Sequence, residues 1–326
     1  MKKIILLTGL ILSASILPAQ EKDSRIFIHP GRETFVYFPS DSLQSDYTVT
    51  FFLPEERVPL SRNYPVIVVL GLTPKQAQEV AVLTKKAQSI VIGINFEEKD
   101  YVQKSAQISR FLSYELLPYV DTNYWTLTGP ENRILAAYGK GAAKIALQVA
   151  QNQNLFGALA LFSPADVWED AAVPSVRTLV TGTQAELANT QQAFEKSGKK
   201  YGPDFALRYT PENRPWFQGI DAAYLRAPAQ EVEIKRLQAA LSARTLPLSG
   251  GQESLLRVWA VLNNKTFFHY IPLDLRLSPP YLSWNPQRGA LSVISGAVPA
   301  TVKIHPVVDK PAFTVKIKLK KQEKGV

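Results

Sequence analysis

Hydrolysis by acyl transfer needs a nucleophile, a base and an orienting acid, and few residues of this chain can fill those roles. Cysteine is absent, which removes thiolate nucleophiles, disulfides and cysteine-ligated zinc. The imidazoles are His29, His269 and His305. Ser163 ends the apolar run Ala158-Leu159-Ala160-Leu161-Phe162 and would stand at the carboxyl edge of a sheet, where open α/β folds bind ligands. Glu186 is the first acidic residue after Val180-Thr181-Gly182-Thr183. His269 lies between Phe267, Phe268 and Tyr270, which is strand context, and His29 beside Pro30-Gly31 reads as a turn residue. A Ser163–His269 dyad is therefore the displaced hydrolytic arrangement to consider. Lys140, between Gly139 and Gly141, would open a helix, either as an anion-attracting group or as a solvated lysine. Glu55-Glu56 and Glu97-Glu98 are adjacent carboxylates, a spacing that does not build a glycosidase pair. No P-loop, GxGxxG after a strand, HExxH or His/Asp cluster occurs, so neither a cofactor nor a metal is expected.

The elements that would position these residues follow from hydrophobic periodicity. Residues 34–38 and 47–53 are strand-like and stopped by Pro39 and Pro54, close enough for a hairpin. Val66 to Leu70, Ile90 to Ile94, Ile134 to Ala137 and Ala158 to Phe162 are continuous apolar runs, the mark of strands covered on both faces. Further strands are expected over 176–181 and 205–209. Helices are expected over 75–88, 102–117 (closed by Pro118), 141–151 and 184–197. Strand and helix alternating this often imply a mostly parallel sheet with helices on both faces. After Pro228 the grammar changes. Residues 229–250 read as a helix or linker. Residues 251–326 read as a β-rich module, a small sandwich, with strands near 255–262, 266–276, 290–295, 300–305 and 313–320.

The chain has 326 residues, 20% of them charged, and a formal net charge of +9. That composition is globular and excludes whole-chain disorder or coiled coil. Lys2 and Lys3 precede the apolar run Ile4 to Leu17 and the small residue Ala19, so residues 1–19 are expected to be a signal peptide and the protein periplasmic or extracellular. No later stretch is apolar enough to span a membrane. From residue 301 on there are seven lysines against Asp309 and Glu323. Val315, Ile317 and Leu319 alternate with Lys316, Lys318 and Lys320, which predicts a strand with one lysine face. An edge strand protected from aggregation explains that pattern, and a weak electrostatic contact through these lysines and Lys321 is the alternative. Nucleic acid is not the expected partner, because neither arginine nor aromatic residues interleave.

Several separated segments together carry a family resemblance: Phe111-Leu112-Ser113-Tyr114-Glu115-Leu116-Leu117-Pro118-Tyr119-Val120, Arg133 to Gly141, Leu155-Phe156-Gly157, Phe162-Ser163 and Tyr64 to Gly71. They resemble, over roughly residues 46–225, the esterase family that holds enterochelin esterases, feruloyl and acetyl-xylan esterases and S-formylglutathione hydrolases. The resemblance implies an α/β-hydrolase fold over 20–228, including the N-terminal strands at 34–53. It also implies a crevice near Leu72, Gly139, Lys140 and Ser163. A nucleophile elbow would place serine at the strand–helix turn. Here Gly139 stands at that position, and Lys140 stands where the family has a small or apolar residue. The stretch Pro211 to Trp216, where the family has its histidine, contains none. The expected function is that of an exported esterase-like protein without catalysis, which binds an unknown ligand or envelope protein or serves as an envelope scaffold. An active ester hydrolase with displaced residues is the alternative.

Overall fold

In the computed structural model the described residues are 33–54, 63–71, 87–152, 154–164, 167–169, 172–210, 220–227, 232–307 and 312–321. The first part of the chain builds one eight-stranded sheet: β1 (Glu33–Ser40), β2 (Ser45–Phe52), β3 (Val66–Leu70), β4 (Ile90–Ile94), β5 (Arg133–Tyr138), β6 (Ala158–Phe162), β7 (Arg177–Gly182) and β8 (Phe205–Tyr209). Its order is β1-β2-β4-β3-β5-β6-β7-β8. The β1–β2 hairpin joins β4 antiparallel, and every pairing from β4 to β8 is parallel. β3, β4 and β6 are buried at every position, so both faces of the sheet are covered. This is the mixed α/β architecture that the apolar runs predict.

Helices α1 (Glu98–Gln103), α2 (Ser105–Arg110) and α3 (Leu117–Asn123) bracket a π-helical segment, Phe111–Leu116. Pro118 does not end the helical path as the sequence suggests. It falls in the first turn of α3, where a missing N–H is tolerated, and the π turn before it absorbs the change of pitch. Phe111, Leu112, Leu116 and Val120 are fully buried from this path. α4 (Lys140–Asn152) follows β5, and α5 (Gln184–Lys196) follows β7 with a Thr183–Glu186 capping box. A short α6 (Ala222–Arg226) follows β8. The expected helix over 75–88 falls mostly outside the described residues, as do the expected signal peptide, His29 and Glu55-Glu56.

The second part is all strand: β9 (Ile234–Leu241), β10 (Thr245–Pro247), β11 (Glu253–Leu262), β12 (Phe267–Tyr270), β13 (Leu275–Ser278), β14 (Leu282–Asn285), β15 (Ala290–Val293), β16 (Ala300–Pro306) and β17 (Val315–Lys320). One sheet orders as β12-β11-β15-β14 with β9 also on β11, and the other as β10-β17-β16-β13. Of the segment 229–250, expected as a helix or linker, the described residues 232–250 hold two strands. The Lys, Arg, Leu, Gln and Ala of β9 favour helix locally, but seven residues of β11 stand ready as its antiparallel partner, and pairing overrides propensity. The expected strand 266–276 divides into β12 and β13, which belong to different sheets, with Pro272 between them. β17 pairs with β16 over 315–319 and with the short β10 over 318–320, so only its C-terminal part is flanked by the paired strands of this sheet.

The second part is tied to the first through α5. Gln191, fully buried, receives the Ile271 N–H at 2.9 Å and donates to the Ile271 carbonyl at 2.6 Å. Tyr201, also buried, donates to the His269 carbonyl, and the Tyr224 ring packs tilted against Phe268 with centroids 4.6 Å apart. Replacing Gln191 by Leu keeps the volume but strands both Ile271 backbone groups. The expected loss is roughly 2–4 kcal/mol, measured by urea unfolding, against under about 1 kcal/mol for exposed Gln192→Leu.

Candidate functional site

β5 ends at Tyr138 and α4 begins at Lys140, so a single residue makes the turn. That residue, Gly139, has φ +82°, a region costly for L side chains. Its N–H donates to the Phe162 carbonyl at 2.9 Å and its carbonyl receives Ala143 N–H at 3.0 Å. Among the described residues a Cβ built on Gly139 would meet nothing within 4 Å. The turn thus combines a left-handed backbone with a hydrogen atom in the side-chain position. Gly141 has a different reason to be glycine. A Cβ there would stand 2.7 Å from Glu98 Oε1 and 3.0 Å from Tyr101 Cβ, so α1 lies directly on the first turn of α4. Lys140 is exposed.

Ser163 stands at the end of β6, beside this turn, and is exposed. Its N–H donates to the Thr181 carbonyl at 2.8 Å. Its φ is +44°, and the following Pro164 disfavours the right-handed helical alternative for it. Gly139 and Ser163 therefore occupy adjoining strand ends of the carboxyl edge. Leu72 lies outside the described residues, as does the stretch 211–219.

Glu186 is one turn into α5, and its carboxylate closes the capping box. Oε2 receives the Thr183 N–H at 2.7 Å and the Thr183 hydroxyl at 3.0 Å. The residue that reaches across the edge is Gln184. Its Oε1 receives Arg257 Nη1 at 2.9 Å, and its Nε2 donates to the Pro286 carbonyl at 3.0 Å. Arginine only donates and a carbonyl only accepts, so the orientation of the amide is fixed. His269 Nε2 lies 2.9 Å from the same Oε1 and must donate to it, which assigns the proton to Nε2. Arg257 lies over the Tyr209 ring, 4.9 Å from its centre, and that ring is 5.9 Å from His269.

His269 is thus part of a four-residue knot at the carboxyl ends of β7 and β8, bonded to Gln184. Burial, with the Arg257 charge adding to it, pushes the imidazole down to about 4. A base of that strength is poorly matched to neutral pH. The sequence offered His269 and Glu186 but not Gln184, Arg257 or Tyr209. Position 184 directly follows the strand where the resemblance puts the acid. Nothing in the chain order, however, shows that residues 257, 269 and 286 return to it. Among the described residues no cluster of three metal-ligating side chains exists.

No family model matches the chain. A curated relative, the uncharacterized protein YjcH of Bacillus subtilis (strain 168), is 25% identical over 142 residues, 39% of this chain. The chain spans 59% of that relative's length. Similar solved structures include an uncharacterised protein from Capnocytophaga ochracea DSM 7271 (19% identity, 60% of this chain, 63% of that chain, TM-score 0.46). Another is the enterobactin esterase FES from Shigella flexneri (14% identity, 59% of this chain, 60% of that chain, TM-score 0.46). A third is a ferulic acid esterase (16% identity, 58% of this chain, 93% of that chain, TM-score 0.46). Two of these neighbours are named as esterases. The scaffold described above is a mixed α/β fold with a large, mostly parallel sheet.

The depressed His269 has a consequence for stability. Its folded pKa lies below the unfolded value of 6.5, so its contribution is complete above 6.5 and is lost as pH falls from 6.5 toward 4. Urea unfolding between pH 7 and 4 should show a decline of about 2–3 kcal/mol that His269→Gln removes. An equal decline in the variant would show that other groups cause it.

Proposed function

We propose that this chain is an exported hydrolase-like protein that binds a ligand or partner at the carboxyl edge of its sheet and does not hydrolyse it. The observation that carries the reading is the turn at Gly139: elbow-shaped, open above, and without a hydroxyl. His269 supports it, being held proton-side toward Gln184 with a pKa near 4. The mechanism of such a site is recognition alone. The crevice beside Gly139 and Ser163 offers exposed Lys140 as a charge for an acidic ligand. Export rests on the expected signal peptide at residues 1–19.

A fluorophosphonate probe tests the reading directly. The expected outcome is no covalent label and p-nitrophenyl acetate turnover equal to that of heat-denatured protein. Labelling that Ser163→Ala abolishes would establish the displaced hydrolase instead, since Ser163 is exposed at the same edge. A second variant probes the turn itself. Gly139→Ser meets no steric obstacle, yet must hold φ +82°. It should fold with a loss of about 1–2 kcal/mol in thermal unfolding and gain no esterase activity. Activity gained by that variant would reveal a competent base and overturn the proposal.

A further inference from the structure

The outward face of the four-stranded sheet carries cations from three strands. β17 presents Lys316, Lys318 and Lys320, all exposed, while Ile317 and Leu319 are buried beneath. On β16, Lys303 pairs directly with Lys316 and Thr301 with Lys318. On β13, Ser278 pairs with Lys303 and Arg276 with His305. On β10, Thr245 pairs with Lys318. Directly paired residues share a face, so Arg276, Lys303, Lys316, Lys318 and Lys320 form one array. Within the paired strands this face holds no acidic residue. Asp274 precedes β13 at its far end.

Two observations make this array more than a solvated surface. Along 318–320 β17 pairs with β10, so edge protection does not account for Lys318 and Lys320. Lys303 opposite Lys316 is a like-charge cross-strand pair, which costs stability in the isolated protein. A counter-charged partner would relieve that cost.

We propose that this face docks on an anionic lipid bilayer. The array is two-dimensional, spreading roughly 13 Å along β17 and roughly 10 Å across three strands. It lies on a sheet face rather than in a groove, and none of its residues is aromatic, so it lacks the stacking platforms that hold sugars or bases. Lysines act as flexible point charges toward dispersed phosphates and do not need bidentate geometry. No helix among the described residues is long and apolar enough to cross a membrane, and the contact proposed is peripheral. It does not depend on the reading of the Gly139 crevice.

Co-sedimentation of the full chain with vesicles of phosphatidylcholine containing about a third phosphatidylglycerol tests it. Binding to these vesicles and not to pure phosphatidylcholine is expected, with loss in high salt. Each lysine near such a surface is worth about a factor of five, so Lys316→Gln/Lys318→Gln/Lys320→Gln should weaken partitioning on the order of 100-fold. Lys200→Gln/Lys235→Gln, altering exposed lysines elsewhere, should change it by less than about threefold. Equal weakening by both variants overturns the proposal. So does binding of soluble heparin with no binding of anionic vesicles, which would make a free polyanion the occupant. Circular dichroism shows whether the triple variant folds; if it does not, Lys316→Gln alone, with an expected fall of about fivefold, decides the question.

Discussion

A strand and a helix that share one connecting residue leave that residue almost no choice of backbone. Between β5 and α4 the sheet and the helix must meet at a sharp angle, and only a positive φ at position 139 permits it. A residue with a side chain would bear strain there, and glycine carries none. Among the described residues the Cβ direction of Gly139 is open, and α1 packs on Gly141 where a Cβ would come within 2.7 Å of Glu98 Oε1. The tight turn and the close packing of α1 on α4 are thus both met by glycines.

The second constraint is the buried polar contact between α5 and the C-terminal strands. Gln184 and Gln191 both have a carbonyl oxygen and an amide, and both satisfy donors and acceptors from the far side of the interface. Such contacts fix register more than they add strength, because a slipped arrangement would bury unpaired groups. They also decide the chemistry available to His269. Its Nε2 proton is committed to an amide oxygen and its ring to a desolvated pocket, which holds the imidazole neutral rather than poised near neutral pH.

How much of this was legible in the sequence depends on the range of the interaction. The apolar runs at 66–70, 90–94, 134–137 and 158–162 read directly as buried parallel strands, because burial on both faces leaves a continuous local signature. The lysine alternation at 316–320 read as a strand, though not as a flanked one, since neighbours in a sheet are non-local. β9 was hidden, as its residues favour helix and its strand state comes wholly from β11. Gly139 was legible as the oddity of the turn, while the knot of Gln184, Arg257, Tyr209 and His269 was not. Its members lie on four separate elements, and only the folded topology brings them to one edge.

The parallel pairing of β10 with β17 carries a consequence for how the chain assembles. Leu246 aligns with Leu319, so a three-residue strand made early must wait for a partner synthesised much later. Such long-range closure is entropically slow, and until it occurs the inner faces of β16 and β10, with Val302, Ile304 and Leu246, have no completed sheet to cover them. The interval before β17 docks is therefore the stage at which the nascent molecule is most open to misassociation, and the stage at which a holding chaperone would have most to shield.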